Sequence, residues 1–380
     1  MSISRGRGGW SLRRIGKVDS ICQVCRWGLL LLVGIFCIPV KAIAQSQELA
    51  DQPGIGGGEA AQTAADGEWD RELQRFTLGQ GVDVVGSEKT VIATSEDTLL
   101  DIATRHAIGY EEIRLANPEV DVWLPGEGTE VKIPSYFILP NVHREGVVIN
   151  LAEMRLYYFP PGADVVETFP VSVGRMDWTT PLGETKITDL IEDPAWFPPS
   201  SIREQVAERG DEIPRQVPPG PNNPLGEYAV MLDISGYLLH GTNRPWGIGM
   251  RATHGCIRLH PFDIEHLFGQ LERGTPVKII NQPFKAGWSA DGELYLQAFP
   301  LFEENRDLSR QEKISMATSA VAAALGNLRH RVKGDLVRAV AVKQTGDLIN
   351  ISRSSNSWSV NLDNSPQGYG ANQPPLDPEG

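Results

Sequence analysis

The sequence predicts a mainly β fold whose central part is a β-sandwich or a barrel-like sheet. Three observations support this class. The 27 prolines and 39 glycines supply many turns, most apolar runs are short and bounded by turn residues, and few stretches have helical periodicity. Short strands separated by turns are typical of sandwiches and barrels. A chain of 380 residues is long enough for two or three domains.

We expect residues 146–281 to form the main domain. The run GVVINLAEMRLYYFPP at 146–161 contains two apolar stretches on either side of NLAEM, which predicts a hairpin. Further strands are predicted in TFPVSVG, GETKITDL, EYAVML, GYLLHGT and TPVKII, and proline-rich loops separate several of them. The domain is therefore expected to be built from many short strands.

One helix interrupts this series of strands. In HPFDIEHLFGQLERG, Pro261 suits the first helical turn, and Ile264, Leu267 and Phe268 form an apolar stripe. Gly274 is expected to end the helix.

Two smaller regions flank the main domain. Residues 82–136 are predicted to contain a strand in KTVIAT, helices in SEDTLLDIA and YEEIRLANP, and a second strand at 130–133, a βααβ order. Residues 282–353 predict a hairpin, one or two helices and a last strand in LINIS. The tail at 354–380 is rich in Asn, Ser, Gly and Pro, and is predicted to be disordered.

Residues 1–44 have the pattern of a secretory signal peptide. A basic region precedes the apolar run WGLLLLVGIFCIPV, and small residues follow at Ala42 and Ala44. The apolar run is shorter than the roughly 20 residues that a membrane span needs, which disfavours the alternative of an uncleaved anchor. Residues 45–81 are predicted to be a flexible leader.

The charge and the cysteines narrow the class of function. A net charge of −13 argues against nucleic acid or an anionic membrane surface as the partner. Signal cleavage would remove more basic than acidic residues, and it would also remove Cys22, Cys25 and Cys37. Cys256 would then be the only thiol of a secreted protein. Because secreted proteins usually have paired cysteines or none, this thiol is a candidate functional group.

Cys256 lies in the stretch THGCIRLHPF and has a candidate base upstream. A thiol becomes a nucleophile as its thiolate, so it needs a base or a positive environment. His240 ends the apolar run GYLLH and is followed by Gly241, a suitable position for a general base. The plainer alternatives are a buried, inert cysteine and a core histidine. Composition and spacing alone leave both interpretations open.

The neighbours of Cys256 offer further chemistry. If the chain is extended here, Arg258 and His254 share a face with Cys256, and Arg258 would lower the pKa of the thiol or hold a substrate carboxylate. A structural ion pair is the plainer role for Arg258. Gly255 lets a substrate approach the backbone closely.

The stretch LLHGTNRPWGIGMRATHGCIRLHPFDIEHLF resembles the active-site signature of the L,D-transpeptidases, whose catalytic domain is of the YkuD type. That signature is His-Gly-Thr, a loop, and then Ser/Thr-His-Gly-Cys-Ile/Val-Arg. Thr253 stands where many members have serine, and it keeps the hydroxyl. The runs VVINLAEMRLYYFPPG, TPLGETKI and PGPNNPLGEYAV are similar to the ErfK/YbiS type of these enzymes.

The region before the main domain resembles a LysM module, a small peptidoglycan-binding domain. The matching features are Asp97-Thr98-Leu99 with Ile102-Ala103, then Asn117-Pro118, and the closing Ile133-Pro134. Glu96 departs from the pattern, because the family usually has a glycine there. This departure puts glycan binding in doubt, and a plain spacer domain is the alternative.

The resemblance to the transpeptidases implies a reaction and a set of site residues. Cys256 would be the nucleophile and His240 the proton donor and acceptor. The remaining residues carried over would shape the substrate site and the oxyanion hole: Gly241, Thr253, His254, Gly255 and Arg258. The resemblance implies no metal and no organic cofactor.

It also implies a substrate and a location. The substrate would be the tetrapeptide stem of peptidoglycan in the periplasm. The acyl group would pass to the amine of another stem, to a lysine of an outer-membrane lipoprotein or to a D-amino acid. Transfer to water would make the protein a carboxypeptidase, and a catalytically silent wall-binding protein is the remaining alternative.

Overall fold

The computed structural model describes residues 71–353. The predicted signal peptide at 1–44, most of the leader and the tail at 354–380 lie outside the described residues. The strands, in chain order, are β1 (Arg75–Thr77), β2 (Val84–Gly86), β3 (Lys89–Ile92), β4 (Glu130–Ile133), β5 (Tyr136–Ile138), β6 (Gly146–Asn150), β7 (Arg155–Phe159), β8 (Val165–Pro170), β9 (Val173–Gly174), β10 (Gly183–Glu192), β11 (Tyr228–Leu232), β12 (Leu238–His240), β13 (Arg251–Thr253), β14 (Ile257–Arg258), β15 (Pro276–Ile280), β16 (Phe284–Trp288), β17 (Leu294–Ala298) and β18 (Ile349–Asn350). The α-helices are α1 (Leu99–Arg105), α2 (Tyr110–Ala116), α3 (Ser200–Glu208), α4 (Pro261–Phe268), α5 (Arg310–Leu325) and α6 (Gly334–Lys343).

The main body is a nine-stranded mixed sheet in the order β1-β8-β7-β6-β15-β10-β11-β12-β14. The sheet curls toward closure. Just beyond β8, Ser172 forms an antiparallel bridge with Arg258 of β14, the strand at the far edge. Consistent with this curl, Phe169 of β8 and Ile257 of β14 belong to the same apolar core. The predicted mainly β, barrel-like class is confirmed.

Strands β6 and β7 are buried on both faces. Because side chains alternate across a strand, Val147 and Ile149 face the core inside the curled sheet, while Val148 faces a second core outside it. The predicted hairpin is confirmed, with Gly146 opposite Phe159.

The helix α4 begins at Pro261, as predicted, and buries Ile264 and Leu267 in the inner core. The prediction that Gly274 ends it is wrong, since the helix ends at Phe268 with Gly269 as its C-cap. A glycine at this position weakens continuation of the helix.

The leader prediction is wrong for its last part. Residues Arg75–Thr77 form strand β1, which pairs with β8 at the edge of the large sheet. Just before it, Arg71 is buried and binds Asp263 of α4, with Arg71 Nη2 2.5 Å from Asp263 Oδ2. The structure of these residues depends on pairing with segments far along the chain, which the local composition does not reveal.

The region at 82–136 has the predicted order of β3, α1, α2 and β4, and β3 pairs with β4. Thr98 caps α1: its hydroxyl accepts a hydrogen bond from the Asp101 amide, and the Asp101 carboxylate accepts one from the Thr98 amide. The apolar residues of this region are not enclosed by the region alone. Leu99, Ile102 and Ile113 share the outer core with Tyr157 and Phe159 of the large sheet.

The C-terminal segment has its own core. Strands β16, β17 and β18 form a three-stranded sheet, and α5 and α6 pack on it, as the predicted hairpin, helices and last strand require. Lys285 of β16 connects this segment to the rest: its Nζ lies 2.5 Å from Glu153 Oε2 and 3.1 Å from the Tyr157 hydroxyl. Across residues 71–353 the structure has no helix long and apolar enough to cross a membrane.

Candidate active site

The predicted base and nucleophile belong to two short parallel strands that pair with each other: His240 ends β12, and Cys256 directly precedes β14. In the β12–β14 pair, Leu239 lies opposite Ile257 and His240 lies opposite Arg258. Leu239 and Ile257 point into the inner core. Because side chains alternate along a strand, His240 and Arg258 point to the other face. Cys256 directly precedes Ile257, the first residue of β14.

His240 is buried, and its ring is held in one orientation. Its Nδ1 lies 2.6 Å from the carbonyl oxygen of Gly241. A carbonyl can only accept, so Nδ1 carries the proton and Nε2 keeps a lone pair. Burial, together with the nearby positive charge of Arg258, lowers the pKa of His240 to about 3. The imidazole is therefore neutral at pH 7.

Cys256 is half-buried, and its Sγ lies 3.6 Å from the carbonyl oxygen of Gly236. Burial raises the pKa of the thiol above its ordinary value, while a backbone hydrogen bond from Leu238 and the charge of Arg258 oppose that rise. The balance favours a neutral thiol in the resting protein.

The turn before Cys256 is held by two threonine hydroxyls. Thr253 Oγ1 donates to the Cys256 carbonyl oxygen at 2.6 Å and accepts from the Gly255 amide at 3.2 Å. Thr180 Oγ1 donates to the Gly255 carbonyl oxygen at 2.8 Å and accepts from Gly174 N. Gly255 has φ +102°, and a Cβ there would lie 2.8 Å from the ring of Tyr237, so the turn requires glycine.

Arg258 brings positive charge to the site. Its Nε is buried and has no hydrogen-bond partner among residues 71–353. Burial and the neighbouring charge of Arg244 lower the pKa of Arg258. Arg258 thus brings a positive charge near Cys256 that can receive an anionic group, and Arg244 lies near Arg258. The ion pair that was the plainer alternative for Arg258 is absent from the described part of the chain.

His254 does not follow the alternation that an extended chain would impose. Residues 254–256 form a bend, so the extended chain on which His254 was expected to share a face with Cys256 and Arg258 is not present. The His254 ring packs edge-on against Trp178, with centroids 5.2 Å apart, and Nε2 lies 3.1 Å from Gln205 Oε1 of α3. His254 therefore joins the long β10–β11 connection to the turn that carries Cys256.

Sequence reasoning gave no role to Thr180, Arg244 or Gln205. Thr180 opens the stretch TPLGETKI, which is similar to the transpeptidases, but only the fold shows that its hydroxyl reaches Gly255. Arg244 lies in the stretch LLHGTNRPW but at none of the positions that define the signature. Gln205 lies on α3, far from Cys256 along the chain, so no sequence pattern connected it with the site. In the same described region, no group of three or more His, Cys, Asp or Glu residues could hold a metal ion.

A curled sheet that carries a cysteine, a neutral histidine and a buried arginine on neighbouring strands is compatible with an acyl-transfer enzyme that uses a thiol. The family described as the YkuD L,D-transpeptidase catalytic domain matches residues 144–279. The probable L,D-transpeptidase ErfK/SrfK of Salmonella typhimurium is 36% identical over 282 residues, covering 72% of this chain and 89% of that protein. The probable L,D-transpeptidase YcfS of Escherichia coli is 40% identical over 232 residues, covering 60% of this chain and 72% of that protein.

Solved structures give a weaker likeness. The NMR structure of the catalytic domain from the E. faecium L,D-transpeptidase is 23% identical, with a TM-score of 0.29, and covers 37% of this chain and 100% of that one. The identity and coverage of the relatives place the chain in the L,D-transpeptidase family.

Proposed function

We propose that this enzyme is a secreted cysteine L,D-transpeptidase that acts on the tetrapeptide stem of peptidoglycan in the periplasm. One observation carries the assignment of the reacting groups. The parallel β12–β14 pair supports it, because His240 lies opposite Arg258, two residues after Cys256, and the charge of Arg258 acts on both side chains. The Nδ1 bond to Gly241 leaves His240 Nε2 as the proton acceptor. The secretory location rests on the sequence pattern of residues 1–44.

The first step forms a thioester. As Cys256 Sγ attacks the carbonyl carbon between the diamino acid at position three and the terminal D-alanine, its proton passes to His240 Nε2. The tetrahedral intermediate then collapses, and the C–N bond breaks. His240 returns the proton to the departing amine, so D-alanine leaves neutral at nitrogen. Both reacting side chains start uncharged, so the proton transfer accompanies the attack.

The second step resolves the thioester. An acceptor amine attacks the thioester carbonyl, gives its proton to His240 Nε2 and forms an amide bond. The proton then returns to the departing Cys256 thiolate. A stem amine as acceptor gives a cross-link, a lipoprotein lysine gives an attached lipoprotein, and a D-amino acid gives an exchanged stem. Water in the same position would give a carboxypeptidase.

The oxyanion of the tetrahedral intermediate needs a hydrogen-bond donor, and the carboxylate of the substrate needs a cation. The Gly255 amide already donates to Thr253 Oγ1, which leaves the amide of Cys256 as the donor to the oxyanion in this turn. The carboxylate of the terminal D-alanine is an anion that Arg258 can bind, because its buried Nε has no hydrogen-bond partner among residues 71–353. Gly241 orients the base, because its carbonyl oxygen accepts a hydrogen bond from His240 Nδ1.

The test uses the protein without residues 1–44 and purified disaccharide-tetrapeptide, followed by mass spectrometry. Loss of D-alanine together with a thioester adduct on Cys256 is expected. Cys256→Ala should abolish both, and His240→Ala should abolish acylation at neutral pH while leaving the fold intact. Full turnover by Cys256→Ala would sink the proposal. An adduct that yields only free tripeptide in the presence of amines would identify a carboxypeptidase.

A further inference from the structure

The loop that joins the base to the nucleophile is attached to the N-terminal region at 82–136. This loop runs from Gly241 to Met250, between His240 of β12 and strand β13. Two of its carbonyls accept hydrogen bonds from the start of α2: Tyr110 N donates to Ile248 O at 2.9 Å, and Glu111 N donates to Gly249 O at 3.3 Å. The first amides of a helix have no partners within the helix, so they are available for such bonds.

The two backbones also meet at van der Waals distance. Gly249 has φ +90°, and a Cβ on it would lie 2.5 Å from both Gly109 Cα and Tyr110 N. A Cβ on Gly109 would lie 3.1 Å from Gly249 Cα. Only glycines allow this approach. The position of the loop is thus coupled to the position of α2.

The start of α2 is itself firmly attached to the large sheet. Glu112 Oε2 accepts from the Gly109 amide at 2.7 Å. The same carboxylate binds Arg155 of β7, with Oε1 2.8 Å from Arg155 Nε and Oε2 2.6 Å from Nη2. The Arg155 side chain is fully buried. A buried bidentate pair fixes geometry more tightly than a surface pair, so α2 is a rigid support.

A second attachment holds the other side of the loop. Ser172 Oγ donates to Gly247 O at 2.9 Å, and Val173 N donates to Met250 O at 3.1 Å. These bonds come from Ser172 and from Val173 of β9, just after strand β8 of the large sheet. The loop therefore lies between a catalytic-domain support and a support from the N-terminal region.

We propose that Gly109 and Tyr110 are positioning residues of the transpeptidase reaction, because the start of α2 sets the loop that holds His240 and Cys256 in register. The N-terminal region is then a working part of the catalytic domain, in addition to any binding to the wall. This inference rests on the proposed function for the roles of Cys256 and His240.

A matched pair of variants at residue 110 tests the proposal in the full chain. Tyr110→Ala and Tyr110→Pro both remove the side chain, but only proline also removes the amide that donates to Ile248. Proline is well tolerated at the first helical position, which Tyr110 occupies. Tyr110→Pro is expected to lower kcat about tenfold or more relative to Tyr110→Ala, with a smaller change in KM, since small misplacements of reacting groups are costly.

A second readout does not depend on the substrate. The pH dependence of Cys256 alkylation by iodoacetamide, followed on the Cys256 peptide by mass spectrometry, should shift in Tyr110→Pro relative to Tyr110→Ala. Equal kcat values and equal alkylation profiles for the two variants would overturn the proposal. A parent protein that forms no thioester would instead overturn the proposed function, whatever the alkylation profiles show.

Gly109→Ala and Gly128→Ala provide an independent comparison if the proline variant does not fold. Both glycines lie in the N-terminal region. A Cβ at Gly128 meets nothing within 4 Å, so alanine there costs only the backbone strain of φ +83°, whereas a Cβ at Gly109 presses on Gly249. Gly109→Ala should lower kcat and shift the alkylation profile, and Gly128→Ala should change neither. Loss of kcat in both variants in proportion to a lowered Tm would mean that the region acts through stability alone, and would overturn the proposal.

Discussion

Two buried histidines near the site, His240 and His260, remain uncharged at neutral pH. For His240 the absence of charge has a chemical use, because only the neutral ring can accept a proton from Cys256. His260 has a structural position: its Nδ1 accepts from Phe262 N and caps α4. Both rings make the folded state sensitive to acid, since burial opposes their protonation.

The free energy of unfolding should therefore fall in mild acid, and the contribution of His260 to this fall can be tested. Burial and the nearby Arg71 lower the pKa of His260 to about 4, against about 6.5 in an unfolded chain. Between these values the unfolded chain binds a proton that the folded protein does not, so the free energy of unfolding decreases as the pH falls from 6.5 to 4.

His260→Asn should remove the contribution of His260 to this pH dependence while keeping a side chain that can cap α4. Between pH 7 and pH 5 the parent is expected to lose about 2 kcal/mol more than the variant. Urea denaturation at the two pH values measures the difference, and the contribution of His240 cancels because both proteins contain it. Equal losses in parent and variant would show that His260 does not titrate in this window.

At the scale of elements, the turn between β13 and β14 decides where Cys256 points. Its geometry depends on the Thr253 hydroxyl, which serves as donor and acceptor within the same turn. Serine, which many family members have at this position, can make both bonds, whereas valine of similar shape can make neither.

Thr253→Ser is therefore expected to keep the parent rate of acylation, and Thr253→Val should lower it. In the valine variant the buried Gly255 amide loses its acceptor, at a cost of about 1–3 kcal/mol. The released turn also misplaces Sγ, so a fall in acylation rate of about tenfold or more is expected. Stopped reactions analysed by mass spectrometry give the rates. A valine variant that acylates as fast as the serine variant would contradict this role.

Sequence reasoning predicted the elements well where the signal was local. The β6–β7 hairpin, the start of α4 at Pro261 and the βααβ order all follow from turn residues, caps and periodicity. It failed where contacts between segments far apart along the chain determine the local structure. Strand β1 exists because β8 offers it an edge, and the bend at 254–256 turns His254 toward α3. The partners of these segments lie far away along the chain, so no local pattern reveals them.

At the scale of the whole molecule, the three regions are joined by buried groups. Lys285 of the C-terminal segment pairs with Glu153 near β7, and both side chains are almost fully buried. Glu112 of the N-terminal region pairs with Arg155 of β7. Removing one partner of a buried pair leaves an uncompensated charge, which is costly. The domain boundaries predicted from the sequence therefore separate residues whose buried ion pairs the fold depends on.

The N-terminal region is accordingly expected to be required for the catalytic sheet to fold. A fragment of residues 140–353 would expose the outer faces of β6 and β7, where Val148, Tyr157 and Phe159 pack against this region. Uncovered apolar surface of this kind loses about 25 cal/mol for each Å² returned to water. The Arg155 guanidinium would also lose Glu112.

Urea denaturation followed by near-ultraviolet circular dichroism tests this expectation. The fragment of residues 140–353 should lack a cooperative transition, whereas a fragment of residues 71–353, which keeps the region and removes the segments on either side, should unfold in one step like the full chain. A cooperative transition in the shorter fragment, at a urea midpoint near that of the longer one, would show that the region is a separable tether. The shared outer core would then contribute little to the stability of the sheet.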